Sequence, residues 1–140
     1  MHDFEVTILG TNSAFPAHGR YPTSQVVKYG NNMYLVDCGE GTQMRLSDFR
    51  IKRSRIDHIF ISHLHGDHVY GLPGLLNSYA HFGRNRPMHI HGPKGIRQLM
   101  DTVLRLSASI VAFDIEYHEL EGGSKREVRL PAVRRGCFKD

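Results

Sequence analysis

The chain has 140 residues, 40% hydrophobic and 23% charged, the usage of an ordinary globular domain. No apolar run reaches the length of a membrane-spanning helix, the acidic start Met1-His2-Asp3-Phe4 carries no secretion signal, and two cysteines, Cys38 and Cys137, make no disulfide framework. A cytoplasmic chain with no membrane association is therefore expected. The net charge of +4 is uneven: residues 1–123 hold 12 basic and 12 acidic side chains, so the whole excess falls in 124–140.

The pattern predicts a strand over 4–9, where apolar and polar residues alternate up to Gly10. A turn-rich stretch runs from Thr11 to Pro22. Strands over 24–29 and 33–36 follow, joined by the hairpin signal Gly30-Asn31-Asn32. A short helix is expected over 42–49, after the turn Gly39-Glu40-Gly41. Residues 56–62 are β-branched and apolar and read as a buried strand. A helix spans 67–82, with Asp67 at its favourable N-terminal end and a break expected at Gly71, Pro73 and Gly74. A short strand over 88–91, an amphipathic helix over 94–107 and alternating strands over 113–118 and 127–133 complete the chain. This order is α/β, or α+β: a mixed sheet with helices on one face.

One segment carries chemistry. Ser62-His63-Leu64-His65-Gly66-Asp67-His68 lies between the buried strand and the next helix, where α/β folds place their sites. His63 and His65, two apart in extended chain, project the same way, while Leu64 turns back into the core. Gly66 is expected to permit the sharp turn that swings Asp67 and His68 round beside them. Three imidazoles and a carboxylate within six residues suit zinc, with manganese or iron as alternatives.

This segment resembles the hallmark of the metallo-β-lactamase fold. Two further segments narrow the resemblance to the ribonuclease Z family, endonucleases that remove the 3′ trailer of precursor tRNA. They are Leu9-Gly10-Thr11-Asn12-Ser13-Ala14-Phe15-Pro16 and Leu35-Val36-Asp37-Cys38-Gly39-Glu40-Gly41-Thr42-Gln43, with Gly71-Leu72-Pro73-Gly74-Leu75-Leu76 extending the motif. The resemblance implies that His63 and His65 bind one zinc, and that Asp67 and His68 bind a second. It implies that Asp67 also accepts a proton, and that Asp37 supports the loop from behind. It further implies two zincs about 3.5–4 Å apart with a bridging hydroxide that attacks the phosphodiester, and a homodimer acting on precursor tRNA. The substrate-binding residues stay unassigned.

The family's remaining metal ligands come from the second half of its αββα sandwich, whereas this chain has no histidine after His118. Residues 1–140 thus read as a single N-terminal half, with a basic, poorly matched end over 124–140. The alternatives are another phosphodiesterase or esterase of the same fold, or a non-catalytic fragment that dimerises or binds RNA. Elsewhere, His89 and His91 read as structural or surface residues, His18 as a surface residue, and His2, His58, His81 and His118 as solvated. Cys38 reads as a buried, inert thiol. The basic knot Arg45, Arg50, Lys52, Arg53 and Arg55 reads either as an RNA guide or as a solvated helix end.

Overall fold

A computed structural model describes residues 3–122. The expected strand over 127–133 and the basic end lie outside them. One six-stranded sheet runs β1 (Phe4–Gly10), β2 (Ser24–Tyr29), β3 (Asn32–Val36), β4 (Ile56–Phe60), β5 (Met88–Pro93) and β6 (Ile115–Leu120), in that spatial order. β1, β2 and β3 form an antiparallel meander, and β3 through β6 are parallel. The Gly30-Asn31-Asn32 hairpin makes the first part, because consecutive strands joined by a tight turn must run antiparallel. Helical crossovers make the second: α1 (Thr42–Asp48), α2 (Gly66–Val69) with α3 (Leu72–His81), and α4 (Ile96–Leu106) each carry the chain back to start a parallel strand.

Strand alternation sends one set of side chains into the core. Val26, Leu35, Ile59 and Ile90 align across β2 to β5 and are buried with Leu72, Leu75 and Leu76 of α3 and Ile96 and Met100 of α4. The helices thus cover the face that these residues occupy, as the hydrophobic pattern predicts.

The opposite face has two characters. On β1 and β2, Phe4, Val6, Ile8 and Tyr29 stand exposed. On β3 to β6, two rows rich in aromatic and imidazole side chains run across the strands. Tyr34, His58, His89 and Glu116 align in one, and Val36, Phe60, His91 and His118 in the other.

Two boundaries differ from expectation. β6 begins at Ile115, because Phe113 leaves the strand line and is buried edge-on against Tyr79. The expected 67–82 helix is two helices, α2 and α3, and its break falls at Tyr70-Gly71. There a Cβ on Gly71 would lie 2.1 Å from the Gly39 carbonyl oxygen. Close backbone approach therefore demands glycine, and it docks the motif loop onto the segment after β3.

Candidate metal centre

β4 ends at Phe60, and Ser62 to His68 turn across the carboxyl ends of β3 and β4. The loop is held by the segment that follows β3. Asp37 stands there in the left-handed backbone region (φ 59°), which Asp tolerates better than most residues. Its peptide N–H donates to the Phe60 carbonyl at 2.7 Å. Its carboxylate, buried with the residue 5% exposed, accepts the Ser62 peptide N–H at 2.8 Å and the Ser62 hydroxyl at 2.9 Å. It also takes His68 Nδ1 at 2.8 Å. Cys38 closes the clamp: its N–H donates to the His68 carbonyl and its own carbonyl accepts the Gly71 N–H. The Cys38 thiol is fully buried, and burial pushes its pKa up to about 12, so it is a structural thiol rather than a nucleophile.

This clamp decides what the loop presents. With Nδ1 bound to Asp37, His68 turns Nε2 toward the Asp67 carboxylate, 3.4 Å away. The His63 ring lies 3.8 Å from that of His68, centroid to centroid. His63, Asp67 and His68 each bring a ligand atom within 4.8 Å of the others. His65 caps α2 and meets His63 edge-on, with ring centroids 4.7 Å apart. The structure therefore groups three of the four expected ligands tightly and sets His65 beside them through His63.

The donor set fits a zinc-type ion. A carboxylate bound to the far ring nitrogen of a ligating histidine is the usual support of such a site. Asp37 is placed to act in that way on His68. Ser62, which sequence reasoning assigned no role, is the second link: its hydroxyl meets Asp37 and lies 3.1 Å from His68 Nδ1. Its signal was its position as the first residue of the motif.

Leu64 packs against the core as expected. Gly66 is needed for a different reason than a left-handed turn. Its φ is not positive, and a Cβ there would lie 2.0 Å from the ring of Tyr70, which folds over it.

Other sequence candidates lie elsewhere. Within the basic knot, Arg45 donates to the Leu9 carbonyl, pairs with Asp48 and stacks over Tyr21 and Phe49. Arg53 lies over Phe82, while Arg50 and Lys52 stay exposed. The knot is thus partly structural. His58 and His118, read from sequence as solvated, and His89 and His91, read as structural or surface residues, meet one another on the open sheet face. His91 is only 4% exposed. Cross-strand register makes the cluster, and register is invisible in the linear pattern.

Comparison with known proteins follows the motifs. The family described as Anti-Pycsar protein Apyc1 matches residues 4–119. A ribonuclease Z from Bacteroides fragilis is 45% identical over 121 residues, covering 86% of this chain and 40% of that protein. The ribonuclease Z of Methanothermobacter thermautotrophicus is 42% identical over 120 residues, covering 86% of this chain and 39% of that protein. Human tRNase Z, short form, superposes with a TM-score of 0.77 at 41% identity, over 83% of this chain and 44% of its own. The chain spans about 40% of the length of the ribonucleases Z that it matches. It belongs to the family described as Anti-Pycsar protein Apyc1 and is a homologue, over that share of their length, of the metallo-β-lactamase-fold ribonucleases Z.

Proposed function

We propose that this chain supplies the motif-bearing half of a zinc-dependent phosphodiesterase of the ribonuclease Z type, which removes the 3′ trailer from precursor tRNA. The observation that carries the reading is the Asp37 clamp. A buried carboxylate fixes Ser62 and His68 so that His68 Nε2, Asp67 and His63 converge. A loop of surface histidines has no need of such a device. His63 and His65 would hold one metal, and Asp67 and His68 a second. When bound, zinc supplies Lewis-acid polarisation of the phosphate and lowers the pKa of water. Asp67 would accept a proton at the reacting phosphate, and Asp37 keeps His68 in the tautomer whose Nε2 lone pair is free. Residues 1–140 act as one half of the fold, and the remaining ligands come from a second polypeptide segment. The exposed apolar row Phe4, Val6 and Ile8, on the face away from the helices, offers that second segment a surface to pack on. The resemblance to the ribonuclease Z family supports a cytoplasmic homodimer. No helix among the described residues is long and apolar enough to cross a membrane.

The test is cleavage of 3′-labelled precursor tRNA with zinc or manganese. Asp67→Asn is expected to lower the rate by roughly 10²–10⁴-fold, the usual cost of losing an acid–base group. Absence of cleavage with either metal, together with metal content unchanged by His63→Ala, overturns the reading for this chain. The family matched over residues 4–119 is not described as a ribonuclease, which supports a second reading, in which the same centre acts on a phosphodiester other than precursor tRNA. Cleavage of cyclic nucleotides or bis-nitrophenyl phosphate, with precursor tRNA untouched, selects it.

A further inference from the structure

The open face of the sheet carries a second constellation that the motif loop does not use. His89 on β5 and His118 on β6 meet through Nδ1 and Nε2 at 3.1 Å. Glu116, two residues before His118 and on the same face, places Oε2 3.2 Å from His89 Nδ1. All three ligand atoms lie within 4.8 Å of one another. Zinc–nitrogen bonds of about 2.0–2.1 Å at tetrahedral angles put neighbouring donor atoms about 3.3 Å apart. The two closest separations here already have that length. The donors come from adjacent parallel strands, whose ladder fixes their spacing: His89 is opposite Glu116 and His91 opposite His118.

The surroundings favour a ligand role over simple solvation. The His118 ring stacks on His91, centroids 4.5 Å apart, and His91 in turn contacts His58 Nδ1 through Nε2 at 3.1 Å. His91 Nδ1 is buried with no partner, so the imidazole cluster is not closed by its own hydrogen bonds.

We propose that His89, Glu116 and His118 form a metal site for a divalent late transition ion, zinc being the first candidate, separate from the motif loop. Two imidazoles and one carboxylate suit zinc, copper and nickel and disfavour magnesium and calcium, which take oxygen ligands. Glu116 and His118 are both exposed among the described residues, so a further ligand can reach the ion.

The test uses the full chain stripped with chelator and titrated with zinc, with metal content measured after desalting. His89→Gln/His118→Gln is expected to retain one zinc fewer than the unaltered chain. His63→Ala/His68→Ala is expected to keep the sheet-face zinc. Glu116→Gln, an exposed substitution that leaves the core intact, is expected to weaken the site by more than about 100-fold, beyond the roughly 10–100-fold that loss of an outer hydrogen-bond partner costs a metal site. Equal zinc content in the unaltered chain and the His89/His118 variant overturns the proposal, as does unchanged affinity in Glu116→Gln. Loss of loop zinc with sheet-face zinc retained bears only on the phosphodiesterase reading, so the two fail separately.

Discussion

Two histidine-rich regions of this chain differ in what holds them. The motif loop is short, glycine-containing and irregular, yet its imidazoles are aimed by a buried carboxylate: Asp37 binds Ser62 twice and His68 once. The sheet-face histidines stand on regular strands and have no buried carboxylate behind them. His58 meets His91, and His89 meets His118, ring nitrogen to ring nitrogen. Side chains on a loop need a dedicated partner to fix their direction, because the backbone does not. Side chains on adjacent strands inherit both direction and spacing from the ladder. Precision at the first region thus comes from hydrogen bonds, and at the second from register.

Removing the clamp separates the two most strongly. Asp37→Ala is expected to cut zinc affinity at the motif loop about 10–100-fold, as loss of a carboxylate behind a ligating histidine does. It also lowers stability by about 1–3 kcal/mol, because the Ser62 N–H loses its acceptor. Sheet-face zinc is expected to be unchanged. Elemental analysis and thermal melts on one sample set read all three, and an equal loss at both sites would erase the distinction.

Gly71→Ala comes next. The added Cβ meets the Gly39 carbonyl oxygen at 2.1 Å, backbone against backbone, so the junction between the clamp and α3 must open. The expected cost is about 1–3 kcal/mol, the range for overpacking. Denaturant titration measures it. Hydrogen exchange should place the loosening at the Cys38 and Gly71 amides rather than in β5 and β6.

A smaller effect tests the start of β4, one residue before His58. Burial works to raise the pKa of Asp57, but hydrogen bonds from Arg86 and Arg84 and their charges outweigh it, so the pKa is lowered. The ion pairs are 2.6 Å to Arg84 and 2.8 Å to Arg86. A carboxylate whose folded pKa lies below its unfolded value stabilises at neutral pH. That contribution is lost as pH falls from about 4, the ordinary Asp value, through the folded value. Asp57→Asn is expected to flatten the acid limb of the stability–pH curve below about pH 4, read by melts at graded pH.

The smallest effect is expected from His118→Gln in the absence of metal. His118 is exposed and bears no buried hydrogen bond, so stability should stay within about 0.5 kcal/mol of the unaltered chain. A large loss in metal-free protein would mean that the sheet-face histidines are a packing device, and the contrast with the motif loop would weaken.

Much of the architecture was legible in the linear pattern. Alternation marked β1, the hairpin signal joined β2 to β3, and helical spacing over 94–107 marked α4 (Ile96–Leu106). The motif loop was legible too, because its histidines and aspartate crowd into six positions and a local pattern survives without tertiary information. Glycine signals located the break before α3 but not its cause. The need at Gly71 is contact with Gly39, and the need at Gly66 is contact with the Tyr70 ring. Phe113 was placed in a strand because it alternates with Ile115 and Tyr117, yet it packs on Tyr79 instead.

Composition, periodicity and spacing by themselves determined the class of fold, the order of its elements and the crowding of imidazoles and a carboxylate in the motif loop. All of these are encoded within windows of a few residues. Only the tertiary structure decided which groups aim that chemistry and which histidines meet. Asp37 and His68 are 31 positions apart, and His89 and His118 are 29 apart. Such pairs are joined by loop docking and strand register, and both are settled by burial of the shared core rather than by any local preference of the chain.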